Sequence, residues 1–463
     1  MNLIGFFCLA WALLACGQDE GKDNPGVSFP DYGEVLAFPG AEGYGRHATG
    51  GRTGEVYQVT TLADSGRGSL RDAVSKPNRI IVFKVTGVIK LESPLDFSKN
   101  LTIAAQTAPG DGVVVYGNRV SFSAAEVDNL ICRYLRVRMG MNGREGKDAA
   151  GIAYGSDMIF DHMSVTWGRD ECFSINGDPK KPADLPRNIT IQNSFIGQGL
   201  QPHSCGGLIQ TTINDGVTLY RNLYIDNKTR NPKVKGLNQF VNNVLYNWGN
   251  GGAYIMGDTQ QKSDADIRNN YFIVGTTDNY DGKKLGATAP FTRYNEHFSA
   301  YLSGNFYDDN KDGLLNGREL GRADCMKKSV VAGEEIITSP TFLERPSDVH
   351  PEIKELMTAQ EAYEWIVANG GSSLPVRDEV DAYLIDELTS LGKKGLIIHS
   401  EEDIPTKGPG NIKSAEAPAD TDNDGMPDEF EDKYGLDKND PADAMKVASN
   451  GYTNIENYIF LIK

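Results

Sequence analysis

The sequence predicts an all-β protein built as a parallel β-helix, a solenoid in which short strands stack coil upon coil. Short runs of alternating apolar residues recur along the chain, as in NITIQNSFI (188–196) and GVTLYRNLYI (216–225). An asparagine stands inside each run at a loose period of 29, 21, 27 and 35 residues: Asn193, Asn222, Asn243, Asn270 and Asn305. Asn-Gly and Asp-Gly hairpin signals are scarce between the runs. Such a period, with two or three strands per unit, is typical of a solenoid.

The asparagines are expected to stack at one bend of the coil. Each side-chain amide can bond to the amide of the next coil, which satisfies polar groups that would otherwise face a dry interior. The alternative fold is a β-sandwich, but its hairpins would give turn signals every 8–12 residues or so. The repeat therefore favours the solenoid.

The first residues indicate export. Met1–Cys16 is apolar over too short a run to span a bilayer and ends in LLAC before Gly17. This resembles the lipobox of bacterial lipoproteins, with Cys16 lipidated; a plain signal peptide is the alternative. Residues 17–30 form an acidic tether that resembles the surface-export signal of Bacteroidetes lipoproteins. We therefore expect secretion across the inner membrane and a lipid anchor at the outer membrane and cell surface of a Gram-negative bacterium.

Charge and cysteine content limit the possible partners. The net charge of −17 argues against nucleic acid and against anionic membranes, so the only membrane contact expected is the lipid anchor. A polyanionic substrate would need a local basic patch or a bound metal. Four cysteines follow the leader, with no Cys-x-x-Cys pair: Cys132, Cys172, Cys205 and Cys325. Buried free thiols are the simplest interpretation, although the sequence leaves a disulfide open.

The elements divide into regions in chain order. The β-helix is expected over 31–320, and a short helix at 69–75 is expected to cap its open N-terminal end. A helical region is expected over 321–419, where apolar residues recur at helical spacing in 358–371 and 377–392. Helices that follow a solenoid are expected to pack on its flank.

Several motifs resemble one polysaccharide lyase family, the one that contains the pectate lyases. The resemblance spans 37–459 and rests on FPGAEGYG, VTTLADSGRGSLRDAV, LTIAAQTAPGDG, MIFDH, RNP and GYTNIENYI. It implies a right-handed parallel β-helix, a Ca²⁺ cofactor and β-elimination of polygalacturonate, the backbone of pectin. It also implies that Asp161 and His162 are a structural pair near the site rather than in it.

The resemblance assigns the calcium ligands residue by residue. Asp148, thirteen residues before Asp161, matches a ligand of the family. Asp170 matches the next ligand, whereas the third acidic position is occupied by Ser174. Glu171 would supply that carboxylate through a shift of one residue. Carboxylate oxygens are the ligands that Ca²⁺ prefers.

The resemblance also assigns the basic residues. Arg230 matches the catalytic arginine of Arg-x-Pro-x-x-Arg, and Lys235 replaces the final arginine. Lys235, Lys233 and His203 are the expected substrate-binding residues. Arginine is almost always protonated, so its pKa would have to be depressed, or a minor neutral population would have to act. From the residues alone, His203 or Lys233 would be the candidate base.

A second calcium site is predicted independently of any family. DTDNDGMPDEFE (420–431) fits the pattern D-x-[DN]-x-[DN]-G-x₅-E of an EF-hand loop. Its expected ligands are Asp420, Asp422, Asp424, Asp428 and Glu431. The region 420–463 is thus interpreted as a structural calcium loop followed by a C-terminal tail.

Three functions remain open at this stage. The leading one is a monomeric, calcium-dependent pectate lyase that acts on pectin. A β-helical glycoside hydrolase would instead need two catalytic carboxylates and no metal. The third is a non-catalytic carbohydrate-binding or adhesion protein on the same scaffold.

Overall fold

The computed structural model describes residues 28–463, apart from 124–127, 178–184, 215, 250–251, 258, 260, 278, 281–282, 285–288 and 294. The expected signal peptide at 1–16 and most of the tether at 17–30 lie outside the described residues. Within the described ranges, no helix is long and apolar enough to cross a membrane.

Three parallel sheets form the wall of a β-helix, which confirms the predicted fold. Each coil adds strands in the order sheet 1, sheet 2, sheet 3. Sheet 1 consists of Glu55–Val59, Arg79–Phe83, Leu101–Ala104, Leu130–Arg133, Ser156–Asp161, Arg187–Gln192, Gly216–Tyr220, Leu237–Val241, Ser263–Arg268, Phe298–Ser303 and Thr341–Phe342. Sheet 2 consists of Gly87–Lys90, Val113–Tyr116, Arg136–Arg138, Ser164–Thr166, Phe195–Gly197, Leu223–Ile225, Val244–Tyr246, Tyr271–Ile273, Phe306–Asp308 and the antiparallel Arg318–Glu319. Sheet 3 consists of Leu95–Asp96, Val120–Ser121, Ala150–Ile152, Phe173–Asn176, Leu208–Gln210, Lys233–Lys235, Tyr254–Met256 and Phe291–Thr292.

Two antiparallel hairpins lie outside these sheets. Asn279–Tyr280 pairs with Lys283–Lys284, and Lys327–Val331 pairs with Glu334–Thr338. The parallel pairing of successive coils excludes the β-sandwich, whose sheets are antiparallel.

Apolar side chains from all three sheets fill the interior of the coil. Phe122 packs between Phe97, which lies one coil before it, and Phe160 of sheet 1, with ring centroids 4.7 Å from each. Phe173 meets Phe160 edge to face at 5.2 Å. All four rings are fully buried, and burial of such a side chain contributes about 1.5–3 kcal/mol. The four described cysteines are buried free thiols, as the simplest interpretation predicted.

The bend between sheet 1 and sheet 2 repeats in successive coils. Its first residue has a left-handed backbone, with φ of 52° at His162, 56° at Asn193, 53° at Arg221, 57° at Asn242 and 53° at Asn269. Most side chains disfavour this conformation, but asparagine tolerates it. The residue that follows each of them turns into the interior.

Four of the five predicted asparagines form the expected ladder. Asn222 donates from Nδ2 to Oδ1 of Asn243 at 3.1 Å, Asn243 donates to Asn270 at 3.1 Å, and Asn270 donates to Asn305 at 2.8 Å. The same Oδ1 atoms accept main-chain N–H groups, for example that of Asn222 on Asn243 at 2.9 Å. Donors and acceptors of the buried bend are thereby satisfied together.

Asn193 was predicted to belong to the ladder, and this is wrong. Gln192 pairs with Tyr220, so the residue beside Asn222 is Ser194. The Ser194 N–H donates to Asn222 Oδ1 at 2.9 Å. Asn193 is instead the left-handed residue of its coil, and its Nδ2 donates to Asp161 Oδ1 at 2.7 Å.

In the described part of the chain, five α-helices accompany the coils: α1 (Leu70–Val74), α2 (Ala359–Asn369), α3 (Glu379–Thr389), α4 (Asp428–Tyr434) and α5 (Asn454–Leu461). Helix α1 buries Leu70, Ala73 and Val74 in the core beside the first coils, where the end cap was expected. Helix α2 begins with a capping box of Thr358 and Glu361. Both α2 and α3 lie in the segments predicted to be helical.

The outer faces of sheets 1 and 2 are covered. Residues 36–48 pack on Ile131 and Ile159 of sheet 1, and α5 packs on Ile80 and Val82 of the same sheet. Helices α2 and α3 cover apolar residues of sheet 2, among them Phe195, Leu223, Val244 and Tyr271. The outer face of sheet 3 carries the groove described below.

We predict that Asn243→Ala lowers the free energy of unfolding by about 2–4 kcal/mol, because it leaves the buried Asn222 N–H without an acceptor. Asn193→Gly is the matched control. Glycine adopts positive φ without strain, so only the bond to Asp161 is lost, at about 1–2 kcal/mol. Chemical denaturation followed by circular dichroism measures both. Equal losses in the two variants would contradict the ladder.

Candidate active site

Consecutive coils bring acidic and basic side chains together where the chain enters sheet 3. Asp148 and Glu171 each stand two residues before a strand of this sheet, and these strands pair with Ala150 opposite Phe173. The two acids therefore lie side by side, and the Glu171 N–H donates to Asp148 Oδ1 at 3.3 Å. Arg230 comes from the coil two further on, and its Nη1 donates to Glu171 Oε1.

Asp148, Asp170 and Glu171, here called the sheet 3 cluster, could hold a metal ion. One oxygen from each lies within 4.8 Å of the others. Burial, followed by the negative charges of Asp148 and Asp170, raises the pKa of Glu171 to about 8. Burial also raises the pKa of Asp148. Three crowded carboxylates, of which Glu171 is buried, favour a bound cation, so the cluster fits Ca²⁺.

Arg230 is the positive charge that faces this cluster. It is half-buried and has a left-handed backbone, with φ of 57°. Burial lowers the pKa of its guanidinium, but Cys205, Glu171 and Asp170 outweigh that effect and raise the pKa above its ordinary value. In this arrangement Arg230 is therefore a stable cation, in contrast to the depressed pKa that a base would require.

His203 also lies beside the cluster. Its Nδ1 contacts Asp170 Oδ1, and half of its side chain is exposed. Asp170, His203 and Cys205 each offer a ligand atom within 4.8 Å of the other two. His203 is thus close enough to the carboxylates to contact the same ligand.

The two predicted lysines continue the outer face of sheet 3 by one coil. Lys233 pairs with Leu208, and Lys235 pairs with Gln210. Leu208 lines the groove beside the cluster, so both lysines follow it along the same face. They lie next to the groove rather than in its wall.

The groove itself has a volume of about 330 Å³. Its polar lining includes Arg119, Lys147, Asp148, Asp170, Glu171, Ser174 and Arg230. Sequence reasoning missed Arg119 and Lys147, which belong to no motif. Their cationic side chains suit an anionic ligand.

Ser174, the position where an acidic ligand was expected, lies in the same wall. Its hydroxyl lowers the pKa of the nearby Asp148 carboxyl, against the larger effect of burial, and accepts the Leu208 N–H at 3.1 Å. Gly146 lines the groove with no Cβ neighbour within 4 Å. Glu171 therefore contributes the third carboxylate of this region.

Asp161 and His162 lie at the bend between sheets 1 and 2. Asp161 is fully buried, and its Oδ2 contacts His162 Nδ1 at 2.9 Å and Arg133 Nε at 2.8 Å. Burial opposes its ionisation, but His162 and Arg133 outweigh burial and lower the pKa of Asp161. The His162 ring stacks on Tyr134 at 4.6 Å. These contacts lie at the bend between sheets 1 and 2, and neither residue lines the groove on sheet 3.

A second cluster of acidic residues occurs in and after the predicted calcium loop. Asp420, Asp422 and Asp424 have ligand atoms within 4.8 Å of one another, and so do Asp424, Glu431 and Asp443. These five residues are here called the C-terminal cluster. Asp443 was not predicted, because it lies beyond the twelve-residue motif.

Asp428, predicted to be a ligand of this loop, lies outside the C-terminal cluster. Its exposed carboxylate accepts the N–H and the hydroxyl of Thr421, both at 2.7 Å. Inside the cluster, burial and then neighbouring carboxylates raise the pKa of Asp424 to about 7 and that of Glu431 to about 8. The acids inside therefore differ from Asp428 in both exposure and charge balance.

Known proteins resemble this chain over nearly its whole length. A search of protein-family models finds no match. Probable pectate lyase C of Aspergillus flavus is 50% identical over 422 residues, which cover 91% of this chain and 93% of that protein. Its counterpart in Neosartorya fischeri is 52% identical, covering 91% and 92%, and that of Emericella nidulans is 51% identical, covering 91% of each.

These relatives correct the expected location. All three come from fungi, which conflicts with a lipid-anchored position on the outer membrane of a Gram-negative bacterium. The prediction of a Bacteroidetes-type lipoprotein is therefore wrong.

Solved structures support the fold. A thermostable pectate lyase superposes with a TM-score of 0.51 at 14% identity, covering 74% of this chain and 98% of that one. A pectate lyase studied for substrate specificity and anti β-elimination superposes with a TM-score of 0.50 at 14% identity, covering 74% of this chain and 99% of that one. Together with half-identical sequences over nine-tenths of the chain, this establishes that the chain belongs to the pectate lyase family.

Proposed function

We propose that this protein is a calcium-dependent pectate lyase that cleaves polygalacturonate, the backbone of pectin, by β-elimination and releases unsaturated oligogalacturonides. The observation that carries the proposal is the sheet 3 cluster facing Arg230 in an open groove. One chain supplies all of these side chains, so we propose that a monomer is sufficient.

Asp148, Asp170 and Glu171 are the proposed ligands of the calcium ion. The fit rests on their charges, since three crowded carboxylates, of which Glu171 is buried, face the guanidinium of Arg230. Bound there, Ca²⁺ would neutralise the uronate carboxylate and stabilise the negative charge that develops beside it when the proton leaves. The chain alone, at a net charge of −17, would repel a polyuronate.

The basic residues are proposed to position the polymer. Lys233, Lys235 and His203 lie along or beside the sheet 3 face, and each can pair with a uronate carboxylate. A row of such contacts fixes the sugar relative to the reacting atoms, which accounts for a large part of catalysis in general. Arg119 and Lys147 add positive charge to the lining of the groove.

Arg230 is the proposed base. In β-elimination the C5 proton passes to a base, the C5–H electron pair forms the C4–C5 double bond, and the C4–O bond breaks with its electron pair remaining on the leaving oxygen, which takes up a proton from water. Only a neutral guanidine can accept that proton. The raised pKa of Arg230 makes this form rare near neutrality, so the competing candidate is His203, whose side chain contacts Asp170 beside the site.

We propose that the three regions predicted from the sequence have separate roles. The coils at 31–320 would carry catalysis, 321–419 would cover the flank, and 420–463 would form the calcium-binding extension. The buried contacts of α2 and α3 on sheet 2 support the second of these roles.

We predict that a chelator abolishes elimination of polygalacturonate and that added Ca²⁺ restores it, because the carboxylate cluster otherwise repels the substrate. The ultraviolet absorbance of the unsaturated product measures the rate. A hydrolase would release reducing ends without this absorbance. Full elimination in chelator would contradict a metal-dependent site.

We predict that Arg230→Lys lowers kcat by about a hundredfold, because the shorter amine misplaces the base by an ångström or so. His203→Ala should lower kcat by a smaller factor. The pH profile gives an independent measurement. A raised Arg230 pKa means that kcat should climb about tenfold per pH unit across the alkaline range, as the neutral fraction grows.

A histidine base would give a different profile. Activity would then lack the tenfold climb per pH unit through the alkaline range, because that climb follows the neutral fraction of the guanidine. If His203→Ala were inactive and Arg230→Lys retained most of kcat, the base would be His203.

We predict that Glu171→Gln raises the calcium concentration for half-maximal activity by about tenfold or more, because it removes one of three charged ligands. Ser174→Ala is the matched control from the same wall, and it should shift that concentration by less than about threefold, since only a neutral hydrogen bond is lost. Calcium titrations at constant substrate separate the two. A larger effect in Ser174→Ala would assign the third ligand to the serine position.

A further inference from the structure

The C-terminal cluster contains buried carboxylate oxygens that lack hydrogen-bond partners. They are Asp422 Oδ2, Asp424 Oδ2, both oxygens of Glu431 and Asp443 Oδ1. Glu431 is fully buried, and the residues Asp424 and Asp443 are 4% and 3% exposed. Buried acids without partners are rare in proteins, because desolvation penalises both the charge and the lost hydrogen bonds.

The positive charge that contacts this cluster is smaller than the negative charge of its five carboxylates. Lys84 Nζ contacts Asp420 Oδ2 at 2.8 Å, and Gln58 Nε2 donates to the same oxygen at 2.9 Å. Both contacts lie at one side, on Asp420. The five unpartnered oxygens belong to the other members, which converge from the loop, from α4 and from the segment that follows it.

The loop backbone is already shaped around the cluster. The N–H groups of Asp424 and Gly425 donate inward to Asp420 at 3.2 and 3.0 Å, and the Met426 N–H donates to Asp424 at 2.8 Å. Gly425 has φ of 100°, and a Cβ there would lie 2.9 Å from Val56. The turn therefore requires glycine and directs the acids toward one point.

We propose that Asp420, Asp422, Asp424, Glu431 and Asp443 bind one calcium ion, in which Asp443 takes the place that the loop motif gives to Asp428. Five carboxylates supply only oxygen donors, and binding through both oxygens of Glu431 would bring their number to six, the lower end of the range typical of Ca²⁺. Softer metals prefer nitrogen or sulfur ligands, and none lies in this cluster.

This ion would fasten the end of the chain to the first coils. Asp420 touches residues of sheet 1, while Met426, Ile455 and Ile459 pack on its outer face. Phe29 stacks on Tyr434 at 4.8 Å, so residues before the first coil join the same contact. The C-terminal cluster shares no residue with the groove on sheet 3.

The test compares Asp443→Asn with Asp428→Asn in the full chain. Isothermal titration with CaCl₂ counts the ions bound per chain, and thermal unfolding in chelator and in Ca²⁺ gives the stabilisation. Asp443→Asn should bind one calcium ion fewer per chain than wild type. In wild type, Ca²⁺ at about a hundred times its Kd should raise Tm by about 3 °C, and this rise should be absent in Asp443→Asn. Asp428→Asn should keep both the wild-type number of bound ions and the rise in Tm. Glu431→Gln should behave like Asp443→Asn.

Two further readouts keep this proposal separate from the catalytic one. At low temperature and saturating Ca²⁺, Asp443→Asn should retain wild-type elimination of polygalacturonate. Hydrogen exchange should speed up in α5 and stay unchanged in sheet 3. If Asp443→Asn and Glu431→Gln both bind as many ions as wild type, or if Asp428→Asn loses the ion, the proposed ligand set is wrong.

Discussion

The whole structure depends on the register between coils. In a parallel β-helix the main-chain N–H and C=O groups of one coil find their partners only in the coils before and after it. The left-handed residue at each bend and the asparagine ladder beside it hold that register in a dry interior. Register in turn builds the groove, because Asp148, Glu171 and Arg230 come from different coils and meet only if the coils align.

Charge balance distinguishes the structural acids from the candidate metal ligands. Asp378 and Asp381 are buried, but Arg138 binds them at 2.7 and 3.0 Å, so their charges are compensated within the protein. In the sheet 3 cluster Arg230 contacts only Glu171, and in the C-terminal cluster Lys84 contacts only Asp420, so both clusters keep an excess of carboxylates. A calcium requirement at both places would reconcile an acidic protein with an acidic polymer and with its own buried carboxylates.

The fold was predictable because strand alternation and the asparagine period are local patterns. The prediction failed at Asn193. A shift of one residue in register exchanges the position that faces the interior with the left-handed position at the bend. Asparagine occurs at both positions, so the residue type alone does not show which of the two a given asparagine occupies. The sheet 3 cluster was predictable from motif resemblance. Asp443, Arg119 and Lys147 were not, because tertiary packing brings them to their sites from outside any motif.

The contact between the last residues and the first coils has a consequence for synthesis. Gln58 and Asp420 are 362 residues apart, so the outer face of sheet 1 at Ile80 and Val82 stays uncovered until the end of the chain emerges. At 5–20 residues per second this interval lasts roughly 20 to 70 s. During that time the nascent coils expose an apolar surface on which chaperones, or another unfinished chain, can bind.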